Sequence, residues 1–198
     1  NKGMTEIRTV SPQGGRSSRV SDPGYNESAP QWSGDAETIY FLSDAGGSMQ
    51  VWSAAPNGNN RRQITDIQGG VEGFRVAPSG DRLAYVVRVP VVRRSAAEIC
   101  PDLPLAKAKV YDDLMVRHWD YWDDGSYRHL FLAPIEKNDM IREGVDLMPQ
   151  EAWDAPMAPY FDMKEIAWNG QGTLLAYTCK KSVGTEYALS TDSDIYLY

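Results

Sequence analysis

The sequence contains "WSGDAETIYF" at Trp32–Phe41 and repeats this pattern without gaps as "VAPSGDRLAY" at Val76–Tyr85 and "WNGQGTLLAY" at Trp168–Tyr177. Each copy runs from a large apolar residue through a turn rich in Gly, Asp and Asn into an alternating apolar segment. Such turn residues permit a tight reversal, and the β-branched and aromatic residues after them suit a pleated strand. Equal length and matching ends favour a true repeat over three unrelated hairpins. Each copy therefore predicts a β-hairpin.

The spacing between the copies indicates the size of the repeating unit. The first two copies start 76 − 32 = 44 residues apart, which is the length of a four-stranded propeller blade. The second and third start 168 − 76 = 92 residues apart, so this interval holds 92 − 44 = 48 additional residues. The predicted fold class is all-β, a partial β-propeller of about three four-stranded blades with a long insertion in one blade.

Short apolar segments supply the remaining strands of this predicted domain, which covers residues 1–198 with blade boundaries near residues 27, 69 and 160. Third strands are predicted at "MQVWSA" (49–54), "RHLFLA" (128–133) and "SDIYLY" (193–198), and fourth strands at "RRQITD" (61–66) and "GVDLMP" (144–149). The stretch "TEIRTVSPQGGRSSRVSD" near the N-terminus indicates the last two strands of an earlier blade. The first residues of the three repeats, Trp32, Val76 and Trp168, are expected to be core anchors between neighbouring blades.

Most of the additional residues form an insertion at 88–126, between the second and third strands of one blade. Its first half contains three prolines, which argue against one continuous helix, so we expect an extended arm with one or two helical turns near Ala106–Met115. The second half leads into "VYDDLMVRHWDYWDDGSYRHLFL" (Val110–Leu132), where the density of aromatic residues argues against disorder. We expect these aromatic side chains to be buried over a blade edge or propeller face.

The candidate site lies in this second half. We interpret Arg117, His118, Trp119, Asp120 and Trp122 as a substrate-binding or interdomain surface; the alternative is an arm that packs structurally over its blade. His118 with Asp120 would need a further ligand to hold a metal, and the pattern supplies none, so neither a metal site nor a cofactor is predicted. The adjacent carboxylates at 112–113 and 123–124 are more typical of solvated turns than of acid–base catalysis.

Composition excludes several classes of partner. The net charge is −7 and no basic cluster exceeds a pair, so nucleic acid is a poor partner. No apolar run is long enough for a membrane span. The two cysteines, Cys100 and Cys179, lack metal-ligand spacing, and we expect unpaired thiols rather than a disulfide.

The repeat resembles the blades of TolB-type propellers and of the prolyl oligopeptidase family of serine peptidases. The resemblance rests on Trp-Ser-x-Asp followed by "QVWSAAPNGNNRRQIT" (50–65). In addition, "YDDLMVRHWDYWDDGSYRHLFL" is similar to the propeller segment of the acylaminoacyl-peptidase and dipeptidyl-peptidase branch of that family. The resemblance implies an α/β-hydrolase partner domain with a Ser, Asp, His triad that cleaves short peptides, and a periplasmic or secreted location, with the cytoplasm left open. No Gly-x-Ser-x-Gly elbow occurs in this chain, and its only histidines are His118 and His129, so no catalytic residue is predicted here.

Two function classes remain open. The first is the non-catalytic propeller of a serine exopeptidase of the acylaminoacyl- or dipeptidyl-peptidase type, which gates or binds peptide substrate for a separate hydrolase domain. The alternative is a TolB-like propeller that binds another protein. The chain length suits about three and a half blades, so we expect part of a larger propeller, with a complete small protein as the alternative. The strand "SDIYLY" has no Pro, Lys or Arg to block its edge, which predicts self-association through that edge.

Overall fold

The computed structural model describes residues 3–198, so residues 1 and 2 of the predicted domain lie outside the described part. The strands are β1 Arg8–Thr9, β2 Ser18–Arg19, β3 Glu27–Trp32, β4 Ile39–Ser43, β5 Gln50–Ala54, β6 Arg62–Gln63, β7 Gly73–Val76, β8 Arg82–Pro90, β9 Arg117–His118, β10 Tyr121–Trp122, β11 Ser126–Pro134, β12 Val145–Asp146, β13 Ile166–Trp168, β14 Leu175–Cys179 and β15 Asp194–Leu197. The helices are α1 Ala96–Ile99 and α2 Gly184–Leu189, with a 3₁₀ turn at Met163–Glu165. No helix in the described range is long and apolar enough to span a membrane.

Contacts divide the chain into two compact units. Unit 1 contains the chain up to Val87, Phe131–Val145 and Trp168–Leu174, and unit 2 contains Arg88–Leu130, Asp146–Ala167 and Leu175–Tyr198. The strands β8 and β11 contribute residues to both units.

The first blade is a four-stranded antiparallel sheet with the order β3-β4-β5-β6. The first repeat forms the predicted hairpin, in which Trp32 pairs with Ile39 across β3 and β4. Both faces of β4 are buried. Ile39 and Phe41 pack in a cluster with Ile7 and Val20, which directly flank β1 and β2. Tyr40 and Leu42 pack in a second cluster with residues of the second blade. Alternation along a strand thus sends successive side chains into two different cores.

One core anchor predicted from the repeat is wrong. Trp32 is 54% exposed, because a register shift between Ser28 and Gln31 changes which residues of β3 face inward. The neighbouring Gln31 faces the next blade instead, where its side chain donates to the Phe74 carbonyl and accepts from the Val76 amide, both at 3.1 Å. Trp168 does link neighbouring repeats, since its indole donates to the Arg75 carbonyl at 3.2 Å.

Close packing between the turns of successive repeats explains why these turns contain glycine. A Cβ placed on Gly34 would lie 2.1 Å from the carbonyl oxygen of Pro78 in the second repeat. A Cβ on Gly172, whose φ is +69°, would lie 2.7 Å from Ser79 Oγ. The turns of successive repeats therefore approach so closely that a side chain at either position would have to displace its neighbour.

The second blade has the strand order β12-β11-β8-β7. The second repeat forms its hairpin, with Val76 opposite Leu83. The strand β8 ends at Pro90 and β11 begins at Ser126, so the inserted residues 91–125 separate these two strands, close to the predicted bounds of 88–126. The third sheet has the order β13-β14-β15, and β15 is an exposed edge. Self-association through it stays a prediction, as do the blade boundaries and the blade count.

The helical turn inside the insertion lies earlier than predicted. It is α1 at Ala96–Ile99, and residues 106–115 contain no helix. Main-chain pairing explains the difference, because Ala96 N donates to Ala108 O at 2.9 Å and Val110 N donates to Arg94 O at 2.8 Å. These bonds hold the second segment extended, and Pro101 prevents α1 from continuing.

Candidate functional site

Unit 2 contains a cavity of about 150 Å³. It lies between four segments: the end of the insertion, the start of β11, the loop that follows β12, and the segment leading into α2. Its wall is rich in aromatic rings, which include those of Trp122, Trp153, Phe161 and Tyr187. Burial raises the pKa of the Tyr187 phenol above its ordinary value, so this wall is uncharged at neutral pH.

A two-stranded hairpin carries the residues predicted as a site. In β9 and β10, His118 pairs with Tyr121 and Arg117 pairs with Trp122. Trp119 and Asp120 form the two-residue turn, where Trp119 has a φ of +48°. His118 and Trp122 line the cavity, whereas Trp119 and Asp120 do not. The Arg117 guanidinium lies 5.6 Å from the centre of the Trp122 ring, so it contacts the wall from outside.

The expectation that the aromatic residues of the insertion are buried is wrong. Trp119 is 65% exposed and Trp122 is 55% exposed. The physical reason is that, among the described strands, β9 pairs only with β10, so no further strand of residues 3–198 extends this hairpin. Its aromatic rings contact local partners instead, as in the 4.7 Å separation between the His118 and Trp119 ring centres.

Two ring nitrogens in the cavity wall lack partners. His118 Nε2 and Trp153 Nε1 are both buried, and neither has a hydrogen-bond partner among residues 3–198. Both residues line the cavity. Buried polar atoms are almost always hydrogen-bonded, so these two nitrogens are candidates for binding a polar group or a water.

The carboxylates in the wall are already compensated. Asp123 forms an ion pair with Arg94 at 3.1 Å and accepts from Gly125 N at 2.8 Å. Asp154 accepts from the main-chain N–H of Arg128 at 2.8 Å. The Arg128 guanidinium in turn lies 3.3 Å from the centre of the Phe161 ring. The cavity is therefore aromatic and close to neutral, and it does not have the bare carboxylate that attracts a cation.

The other acidic residues of the insertion fix its conformation. Asp113 accepts from Thr185 Oγ1 at 2.7 Å, and this hydrogen bond lowers the pKa of the Asp113 carboxyl. Burial opposes ionisation of Asp124, but hydrogen bonds from Arg88 and Ser126 outweigh that effect and lower its pKa. These contacts agree with the interpretation of the carboxylates as turn residues.

The second histidine has a structural role. His129 is fully buried, with Nδ1 2.9 Å from Asp146 Oδ2 and Nε2 2.9 Å from the Glu151 carbonyl oxygen. Both ring nitrogens are thus occupied, and the ring cannot serve as a general base without losing one of these contacts.

Sequence reasoning missed much of the wall. It did not identify Arg128, Trp153, Phe161 or Tyr187, which lie in three separate segments. A weak signal was present, because Trp153 belongs to the additional residues that follow the third strand of the interrupted blade. Cys100 and Cys179 are both free thiols in the structure.

The whole chain is similar to part of two longer peptidases. No family model matches the chain. A dipeptidyl-peptidase 5 of Porphyromonas gingivalis is 37% identical over 198 residues, and that of Porphyromonas endodontalis is 34% identical over the same length. In both cases the match covers 100% of this chain and 28% of the relative. The chain thus spans little more than a quarter of the curated relatives that it matches.

A solved structure supports the fold. The uncomplexed acylaminoacyl peptidase of Pyrococcus horikoshii superposes with a TM-score of 0.56 at 16% identity, covering 98% of this chain and 26% of that enzyme. At this identity the likeness concerns the fold alone. Together with the antiparallel sheets, it supports an all-β architecture of the propeller type.

Proposed function

We propose that this chain, a propeller region of the prolyl oligopeptidase family, is the non-catalytic part of a serine exopeptidase of the dipeptidyl- or acylaminoacyl-peptidase type. The observation that carries this proposal is similarity along all 198 residues to a dipeptidyl-peptidase 5. The chain covers only 28% of the length of that relative. The proposed role is to gate or bind short peptides for a separate α/β-hydrolase domain of the same protein. Catalysis would then belong to that domain.

The geometry of the hairpin suggests how its residues would divide this work. His118 and Trp122 line the cavity and would contact peptide, with Arg117 supporting the Trp122 ring from outside. Trp119 and Asp120, which form the exposed turn, would contact the hydrolase domain. A periplasmic or secreted location rests on the family resemblance alone and is tested by cell fractionation.

The first test compares the 198-residue chain alone with a longer polypeptide that would include the proposed hydrolase domain. The 198-residue chain is expected to hydrolyse neither dipeptidyl nor acylaminoacyl p-nitroanilides and to resist labelling by a fluorophosphonate, because it lacks a nucleophile elbow. The polypeptide encoded by the reading frame extended past Tyr198 is expected to do both. Stoichiometric labelling of the short chain would overturn the non-catalytic assignment, and an extended frame without a hydrolase domain would overturn the exopeptidase assignment.

A second candidate function is a propeller that binds another protein, as TolB-like modules do. The observation that favours it is the exposure of Trp119 and Trp122, since aromatic residues are enriched where proteins bind one another. This alternative predicts that the extended reading frame encodes no hydrolase domain, so the same experiment separates the two candidates.

A further inference from the structure

We propose that the cavity of unit 2 binds one uncharged residue of a peptide, through a large apolar side chain and one backbone amide. The inference rests on the proposed function, because it assumes that peptides reach this region, and it specifies which part of a peptide this site takes. It excludes a charged terminus as the group that occupies the cavity. Its basis is the cavity's size, its aromatic wall, its two unpartnered ring nitrogens and its compensated charges.

The size and wall of the cavity suit one ring-sized group. A volume of about 150 Å³ is enough for a benzene-sized ligand. The rings of Trp122, Trp153, Phe161 and Tyr187 line it, and aromatic rings gain most from contact with other rings or with flat apolar groups. A side chain as large as that of phenylalanine or leucine therefore fits, whereas the methyl group of alanine leaves most of the wall without contact.

The two unpartnered nitrogens identify the polar part of the ligand. The indole N–H of Trp153 can only donate, so it requires an acceptor such as a carbonyl oxygen. The Nε2 atom of His118 accepts when the ring proton lies on Nδ1, and it then requires a donor such as an amide N–H. A backbone amide supplies both groups. The backbone N–H and C=O groups of a peptide are therefore the groups that match these two buried atoms.

The charges in the wall argue against an ammonium or carboxylate ligand. Asp123 is paired with Arg94, and Asp154 is hydrogen-bonded to the main chain of Arg128. Arg88 is paired with Asp124 at 2.9 Å. A carboxylate would have to lose water in an aromatic cavity without gaining a free counter-charge, which is unfavourable. An ammonium would lose its water in the same way and gain only the cation–π attraction of the rings, and the free-amine probe below measures that balance. An uncharged peptide residue avoids this loss.

The test measures binding of small probes to the 198-residue chain labelled with ¹⁵N. The probes are N-acetyl-phenylalanine methylamide, N-acetyl-alanine methylamide and phenylalanine methylamide with a free amino group. The first should bind about tenfold more tightly than either of the others, because it alone combines the ring with an uncharged amide. It should also shift the indole N–H signal of Trp153, which the Trp153→Phe variant identifies by its disappearance.

Matched variants test the two nitrogens. Trp153→Phe keeps an aromatic ring but removes the donor, and His118→Phe removes the imidazole nitrogen; each should weaken binding of the first probe about five- to twentyfold. Trp52→Phe is the control, because the Trp52 indole nitrogen is also buried without a partner in the described residues but lies in unit 1. It should leave the affinity unchanged. Circular dichroism checks that each variant is folded, and the two cavity variants provide independent tests.

The outcomes separate this inference from the proposed function. Tighter binding of the free amine, or equal binding of the alanine probe, would overturn the assignment of an uncharged apolar residue. Unchanged affinity for the first probe in both cavity variants would show that neither nitrogen contacts the amide. If the extended polypeptide hydrolyses dipeptides while the chain binds no probe, the cavity assignment alone fails. If the chain binds the first probe but no hydrolase domain follows, the exopeptidase assignment alone fails.

Discussion

The first and second blades share a hairpin motif and an antiparallel strand order, but different segments join their middle strands. In the first blade, β4 and β5 are separated by residues 44–49, whereas in the second blade β8 and β11 are separated by residues 91–125. The sheet forms in both cases. The entropic cost of closing a loop rises only slowly with its length, so a blade tolerates a long insertion at the end of a hairpin.

The two regions are also held together differently. Every residue of β4 is buried, whereas no residue in the described stretch 91–124 is fully buried. Hydrophobic burial therefore dominates in the first blade. The insertion depends instead on surface contacts such as Arg88 with Asp124 and Asp113 with Thr185. A segment with little buried area of its own can vary without unfolding the blade, which makes it a suitable carrier of a binding site.

The largest expected effect breaks the core of the first blade. Phe41→Ala should lower the free energy of unfolding by about 3–5 kcal/mol, because Phe41 is fully buried and the change leaves a cavity. Tyr121→Ala, at a half-exposed position of the insertion, is the comparison and should change it by about 0.5 kcal/mol or less. Urea unfolding followed by circular dichroism measures both. Equal losses would show that the insertion is as much a part of the core as β4.

The next effect compares two ion pairs of the same chemistry. Glu27, which is 1% exposed, pairs with Arg61 and accepts from Ser43 Oγ at 3.0 Å. Glu27→Gln should cost about 1.5–3 kcal/mol, because it leaves the largely buried guanidinium without its counter-charge. Asp124→Asn removes an exposed pair with Arg88 and should cost about 0–1 kcal/mol. The difference between the two losses of stability should persist in 0.5 M NaCl. Similar losses for the two variants would contradict the contrast in burial between the two ion pairs.

A smaller effect on stability is expected when the insertion is removed. Replacing residues 93–124 by a short Gly/Ser linker keeps Val92 and Gly125, which lie so close together that a Cβ on Gly125 would be 1.8 Å from Val92 O. The free energy of unfolding should change by about 1 kcal/mol or less, since the replaced segment has no buried core. Binding of the acetyl-phenylalanine probe should be lost. Loss of cooperative unfolding would instead show that the blade requires the insertion.

The smallest effect distinguishes two thiols. Cys100 is partly exposed in the insertion, whereas Cys179 is buried in β14, and burial raises the pKa of its thiol from 9.0 to about 12. Because this pKa lies above that of an unfolded thiol, the contribution of Cys179 to stability is complete below about pH 8.5 and declines as the pH rises toward 12. At pH 8 a disulfide reagent should therefore titrate one thiol in the folded chain and two after unfolding. Cys100→Ser should abolish the fast reaction; its persistence would contradict the burial of Cys179.

Local patterns were enough to predict the elements of the fold. Alternation after a Gly/Asp turn predicted the hairpins, and the irregular interval between the second and third repeats predicted the insertion near its observed bounds. These predictions succeed because turn chemistry and strand periodicity depend on residues that are neighbours along the chain. His118 and Trp122 were also named from a dense local pattern; both line the cavity, and their role in binding stays a prediction.

Only the tertiary structure decided which side chains meet. Trp32 is exposed because of a register shift in β3 that no pattern of residue types indicates. The cavity joins Trp122 to Trp153, Phe161 and Tyr187 from distant segments, so neither its aromatic wall nor the pairing of its carboxylates with arginines is visible in any one of them. The physical reason is that burial and charge compensation depend on distances in space, which the order of residues determines only through the completed fold.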